Sequence, residues 1–369
     1  MSKAAELANL IGNINAGGGG VNRNFIINGA MNVAQRATSA TGIGTAAAYN
    51  TVDRWRFADA NNPTGRFTQT QSTDAPEGFS FSHKFEVTTN DAGVDDDEMQ
   101  FTHQFIEAQN LQRLDYGTSN ARTITLSFYV KSSVASTMGV RFAHEDSGGS
   151  YGASYTINSV DTWERKSITV PGNTATAINN DNGKGMSIRF GLSVGADNKG
   201  TNSTAWGNGN IFGTHTNTFV GTSGATWQVT GVQLEIGQNA TEFEHEPFDV
   251  TREKCYRYCQ RHPSEDPTSG SGYSVIADGH NDTTTNFLAS IDHHSPMRSD
   301  TSISSSGNLR VHIKGDFQVV TNISIDDNTS NRDRTTCNVT VSSGLTAGEG
   351  AYLEQNNDSD AHVIIDAEL

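Results

Sequence analysis

Proline and cysteine are scarce in this chain of 369 residues, with seven of the first and three of the second. Long apolar runs are missing. No stretch approaches the ~20 residues that a membrane-spanning helix needs, so no membrane insertion is expected. The opening MSKAAELANLIGNINAGGGG does not read as a signal peptide, because it has one lysine and asparagines break its apolar part. Basic runs are lacking too: none of Lys or Arg exceeds two residues, and the formal net charge is −16. Duplex nucleic acid requires a basic footprint, and anionic membranes repel such a surface, so neither is expected as a partner. Cys255, Cys259 and Cys337 are an odd, small set, which fits synthesis in a reducing cytosol better than a disulfide scaffold.

Glycine is abundant, at 37 residues, and it stands among many Thr, Ser and Asn with scattered Val, Ile and Phe. That mixture suits short strands joined by tight polar turns. The length allows two domains. Alternation confirms the period. FSFSHKFEVTT (79–89) places Phe79 and Phe81, then Phe85 and Val87, on one face. ARTITLSFYVKSS (121–133) does the same with Ile124, Leu126, Phe128 and Val130. TWERKSITVP, with Trp163 as an expected core residue, GMSIRFGLSVG and TWQVTGVQLEIG complete a first set. In the last of these, Thr230, Val232, Leu234 and Ile236 are expected on the face opposite Val229. One-sided alternation predicts antiparallel sheets, hence an all-β chain of two jelly-roll-like sandwiches. The expected organisation is an N-terminal docking peptide and Gly linker (1–21), a first sandwich (22–248), a helical joint and linker (249–272) and a small C-terminal sandwich (273–369).

Two segments are expected to be helical. Ala4, Leu7, Ala8, Leu10, Ile11 and Ile14 fall on one helical stripe, before the Gly17–Gly20 run. About ten residues make a marginal helix in water, so the stripe is read as a docking or assembly surface. FDVTREKCYRYCQRHP reads as one helix, capped by Asp249 and stopped by Pro263, which would set Cys255, Tyr258, Cys259 and His262 on one face.

Each chemical motif has a plainer reading beside it. Cys255, Cys259 and His262 tempt one toward zinc, but no second ligand pair follows at usable spacing, so buried structural thiols are preferred. DAGVDDDE offers Asp95, Asp96 and Asp97 as weak calcium candidates, although a solvated acidic turn explains it and no EF-hand pattern is present. His293 and His294 are adjacent and would point to opposite faces of a strand. GTSGA lacks the last glycine of a nucleophile elbow, and GNGNIFG misses the dinucleotide spacing. No catalytic residue is expected, and the only cofactor expected is possible structural calcium.

Aromatic residues in polar loops point to sugar. SGGSYGASY holds Tyr151 and Tyr155. TAWGNGNIFGTHTNTF holds Trp206, Phe212 and His215 beside Asn208 and Asn210. Sugar rings stack on exposed aromatic faces and their hydroxyls bind amides, so these seven residues are the expected glycan-binding rim. Burial of the same aromatics is the competing reading. The acidity favours a neutral or weakly charged sugar, unless a divalent ion at Asp95–Asp97 bridges an anionic one.

Six pieces occur in order: NFIINGAMNVAQR, YNTVDRWRF, TLSFYVKSS, TWERKSITVPG, VTGVQLEIGQNATEFE and CYRYCQR. FLASIDHHSPMRS and VIIDAEL follow. Together they resemble a family of tailed-bacteriophage tail fibre or minor structural virion proteins, over nearly the whole chain from Ala4. The central part is similar to carbohydrate-binding-module jelly rolls. Cys259 departs from the tyrosine usual in that family, which argues against a shared metal site. The resemblance implies a homotrimeric appendage in the virion, made in the host cytoplasm, docked to other tail or capsid proteins by its N-terminus and meeting host polysaccharide. Two alternatives stand beside it: a capsid-bound fibre or adaptor with a purely structural role, and a polysaccharide depolymerase, although the long repetitive β-helix usual for the latter is missing.

Overall fold

The computed structural model describes residues 3, 22–209, 211–264, 272–326 and 329–369. The docking stripe expected at Ala4, Leu7, Ala8, Leu10, Ile11 and Ile14 lies outside these residues. The chain divides into two compact units, one running to Thr251 and including Leu369, the other Arg252–Glu368.

The first unit holds twelve strands among the described residues: β1 (Ser39–Ile43), β2 (Arg56–Ala60), β3 (Arg66–Ser72), β4 (Ser82–Thr89), β5 (Met99–Glu107), β6 (Ile124–Ser132), β7 (Thr137–His144), β8 (Gly149–Thr156), β9 (Glu164–Val170), β10 (Lys184–Val194), β11 (Gly207–Asn208) and β12 (Thr226–Ile236). They form two six-stranded sheets in the orders β1-β3-β4-β12-β6-β9 and β11-β8-β7-β10-β5-β2. Their ladders are antiparallel. This is the expected sandwich. Ile124, Leu126, Phe128 and Val130 from one sheet, and Met138, Val140, Phe142, Ile188 and Phe190 from the other, are fully buried in one core. Alternation works because each sheet buries one face.

Two expectations in this unit are corrected. In β12 the parity changes: Trp227 and Val229 enter the core, and so do Val232, Leu234 and Ile236. Pairing with β6 slips between Thr230 and Gln233, and Gly231 sits there at φ 60°. An added residue in the ladder turns the strand over, so both halves face inward. Trp163 is not a core residue either. It is only half-buried, just before β9, and its indole N–H donates to Asp74 Oδ1 (3.2 Å).

The second unit contains β13 (Cys259–His262), β14 (Val275–Asn281), β15 (Asn286–Asp292), β16 (Ser302–Ser306), β17 (Leu309–Ile313), β18 (Asp316–Ile325), β19 (Arg334–Val341), β20 (Gly350–Gln355) and β21 (His362–Asp366). Six of them close into a barrel, β14-β15-β19-β18-β17-β20, and β13-β21-β16 form a separate sheet. A small sandwich would leave strand edges open; the closed ladder leaves none in the barrel. Phe287, Val311, Val339 and Leu353 fill its interior.

The helix expected over 249–262 is shorter. α1 (Phe248–Tyr256) ends in a turn closed by Tyr258 N–H to Cys255 O (2.8 Å), and Cys259–His262 is strand. Those four residues pair with Val363–Asp366. A nine-residue helix gains little from propagation. Pairing instead satisfies the backbone of the β-branched run at 363–365. Cys255, Cys259, Tyr258 and His262 are all buried, but they do not lie on one helical face.

Candidate functional site

The expected rim residues separate into two groups. Tyr155, Phe212 and His215 are buried, at 6%, 0% and 5% exposure, and cannot offer a face to a sugar. Tyr155 points into the core between the sheets. Phe212 and His215 belong to a loop that lies on the outer face of the second sheet. Glycine makes room for that loop. A Cβ at Gly139 would stand 2.9 Å from Phe212 Cβ, and one at Gly152 2.6 Å from Ile211 O. His215 is a structural residue: Gly139 N–H donates to its Nδ1 (2.9 Å). Burial, with the nearby Lys199 charge, pushes its pKa down to about 3.

Tyr151 and Trp206 form the second group. Both are half-buried, and their ring centroids are 6.1 Å apart. Trp206 also meets Tyr116 edge-on at 5.7 Å, and its indole N–H donates to Pro171 O (2.7 Å). Tyr151 is backed in turn by Phe142, 6.4 Å away and T-shaped. Burial raises the Tyr151 pKa, so its hydroxyl stays protonated and can donate. The indole is thus fixed on two sides and by its only polar atom. Ordering such a side chain on binding costs little, because it is already ordered.

Polar groups surround this corner. The turn between β7 and β8 carries Asp146, which accepts from the Asn179 backbone N–H (3.0 Å) and side-chain amide (2.9 Å). Asn173 Nδ2 donates to Thr176 Oγ1 (2.6 Å), and the Ser150 hydroxyl donates to Gly209 O. Asn208 is in the short strand β11, and Asn210 lies outside the described residues. Tyr116, buried beneath Trp206, was not foreseen from the sequence. It is a lone aromatic in the polar stretch DYGTSN, with nothing local to link it to position 206.

The acidic turn is tied down by its backbone. Asp95, Asp96 and Asp97 are exposed, while Asp97 O accepts from the Asn61 (2.9 Å) and Asn198 (2.9 Å) amides and Asp96 O from Asp197 N–H (2.9 Å). Among the described residues, no three His, Cys, Asp or Glu side chains converge as a metal-binding group. In the second unit, the adjacent histidines part company. The His293 ring bonds Arg332 O (2.7 Å) and Thr335 Oγ1 (2.9 Å), whereas His294 stacks on Tyr256 and His262. Cys255, Cys259 and Cys337 are buried, and burial pushes the Cys337 thiol up to about 12.

The barrel carries a different kind of surface. Tyr273, Val275, Phe317 and Val319 are 42%, 52%, 43% and 52% exposed. They collect on one stretch of outer wall because Val275 pairs with Glu354, Glu354 with Arg310 and Arg310 with Val319. The Arg310 guanidinium lies 4.7 Å from the Tyr273 ring and 4.6 Å from the Phe317 ring, and its Nη2 is 2.6 Å from Glu354 Oε1. His312 stacks on Tyr352 at 4.7 Å.

No family profile matches the chain, and no curated protein matches it. Solved structures similar to it include the enzymatically active domain of bacteriophage CBA120 tailspike protein 4, at 13% identity and a TM-score of 0.33. That match covers 58% of this chain but only 21% of the tailspike chain. A family 11 carbohydrate-binding module of the Clostridium thermocellum cellulosomal cellulase Lic26A-Cel5E is similar at 14% identity and a TM-score of 0.27, over 55% of this chain and 99% of the module. TmCBM61, solved with β-1,4-galactotriose, is similar at 9% identity and a TM-score of 0.29, over 58% of this chain and 99% of its own. The two-sheet architecture described above rests on the strand pairing itself.

Proposed function

We propose that this chain is a non-enzymatic structural protein of a tailed-bacteriophage virion, a tail fibre or appendage subunit whose first unit takes part in recognising host-surface glycan. The observation that carries the recognition reading is the Tyr116–Trp206–Tyr151 corner: a half-buried indole, anchored by Pro171 O, at the edge of a sandwich amid amide and hydroxyl groups. An aromatic plate with fixed polar neighbours suits the C–H and O–H faces of a sugar ring. The ordered sequence pieces from Asn24 to Leu369 support the virion role. A weak single site would gain from three linked copies, so the homotrimer belongs to the same proposal.

Adsorption to host cells and binding to their purified surface polysaccharide test it, with Trp206→Ala and Tyr151→Ala. Both variants should melt as the parent does and bind less. Unchanged binding by well-folded variants would overturn the glycan role for this corner. The purely structural reading, a fibre or adaptor that only links other virion parts, would then stand. It has its own support in the apolar outer wall of the barrel, since exposed Tyr, Phe and Val around an arginine are the composition of a protein interface.

A further inference from the structure

Four basic side chains line up across the second sheet of the sandwich. Arg56 of β2 pairs with His103 of β5, His103 with Arg189 of β10, and Arg189 with Arg141 of β7. Directly opposed residues of antiparallel neighbours project from the same face. Here that face is the outer one, because the flanking Phe57, Ile188, Phe190, Val140 and Phe142 all point into the core. Like charges in direct cross-strand register destabilise a sheet. No carboxylate stands in the row. Glu145 reaches Arg189 from the end of β7, with Oε1 2.8 Å from Nη2. In a chain of net charge −16, such a row is not the product of composition.

His103 lies at the row's centre. It is 1% exposed, and neither ring nitrogen has a hydrogen-bond partner among the described residues. Phe101 and Phe105 flank it, with ring centroids 5.2 and 4.5 Å away. The Arg189 guanidinium sits 5.2 Å from the Phe101 ring and the Lys184 ammonium 4.3 Å from that of Phe105. A buried imidazole with two unmet polar atoms costs free energy until a ligand meets them. Burial holds its pKa well below the ordinary value, and the charges of Arg189, Arg56, Lys184 and Arg54 push it the same way. The surroundings of this ring are electropositive.

We infer that the row Arg56–His103–Arg189 seats an anionic group of the bound glycan, a carboxylate or a phosphate that takes hydrogen bonds from the two guanidiniums over the imidazole. This deepens the glycan reading and rests on it. Arg56 is half-buried and the Arg189 side chain is 14% exposed, so both reach further toward solvent than His103, at 1%. Net charge governs the far field, but at contact distance the local charges decide, and guanidinium forks match both anions. The ligand class narrows accordingly from neutral sugars to acidic ones.

The full-length protein is titrated calorimetrically with trigalacturonate, with the neutral galactotriose and with glucose 1-phosphate, at two salt concentrations. An acidic probe should bind about tenfold tighter than the neutral one, with the advantage shrinking in high salt. The carboxylate and phosphate arms identify the source of the anion. Arg56→Gln should lose that advantage yet melt close to the parent, because its cross-strand neighbour His103 is uncharged and loses no ion pair; Arg56→Lys should keep most of it. A structural arginine would show the reverse, a lower melting temperature and unchanged selectivity. Equal binding of neutral and acidic probes overturns the inference and leaves the glycan reading intact. Tight acidic binding untouched by Arg56→Gln and Arg189→Gln overturns it as well. Binding of no probe, with Trp206→Ala silent in adsorption, overturns both.

Discussion

The Trp227 indole N–H donates to the Tyr155 hydroxyl, 2.8 Å away, and so joins β12 of one sheet to β8 of the other inside the sandwich. Both side chains are buried, and burial keeps the tyrosine protonated. Tyr155→Phe keeps the volume and strands the indole donor. The expected loss is about 1–3 kcal/mol of stability, the cost of an unmet buried donor. Urea unfolding measures it, and glycan binding should not change. An unaltered midpoint would mean that the indole finds another acceptor.

Acid should destabilise the first unit well above the carboxylate range. His83 and His215 are buried, and burial holds each at about 3, below the ordinary 6.5. The unfolded chain therefore takes up these protons first as pH falls. Stability is full above pH 6.5 and declines below it, by roughly 1.4 kcal/mol per pH unit per histidine until the folded values are reached. Unfolding midpoints recorded from pH 7.5 to 4.5 should show this slope, and His215→Asn should reduce it. A flat profile would show that the folded protein accommodates both charges.

Gly231→Ala should be costly for two separable reasons. The residue has φ 60°, and a Cβ there would meet Phe79 Cζ at 2.7 Å and Tyr129 Cδ2 at 2.9 Å. Gly148 has φ 72° with open space around it. Gly148→Ala should lose about 1–2 kcal/mol, the left-handed penalty alone. Gly231→Ala should lose more, by the about 1–3 kcal/mol typical of overpacking. Equal melting temperatures for the two variants would remove crowding from the account.

The outer wall of the barrel should matter to association. Phe317→Ser with Val319→Ser removes two of its exposed apolar groups from β18. Sedimentation velocity of the parent at micromolar concentration should show an oligomer, and the double variant should shift toward monomer with its secondary structure intact. A monomeric parent would refute self-association.

Much of the strand content could be read from the sequence. DFQVVTNISI became β18 and NFLASID became β15 with those bounds. Period-two alternation reports burial of one face, and that survives in one dimension. Relations between distant strands do not. Arg56, His103, Arg189 and Arg141 are unremarkable in their own segments and become a row only through pairing. The burial of Phe212 and His215 depended on glycines more than fifty residues away. Cys259–His262 carried a helical spacing, but its fate was set by Val363–Asp366 at the far end of the chain. Of the expected rim, Trp206 and Tyr151 remained partly exposed, Trp206 just before β11 and Tyr151 in the first half of β8.

The six-stranded barrel returns to its first strand, with β20 pairing to both β14 and β17. A neighbour therefore cannot extend it by adding a strand; contact with the wall runs through side chains alone. The backbone ladder and the choice of neighbour are then governed by different atoms. Substitutions at outward positions such as 275, 317 and 319 can redirect what the unit meets while every rung of the barrel is kept, so a lineage can exchange its contacts one residue at a time without passing through a misfolded intermediate.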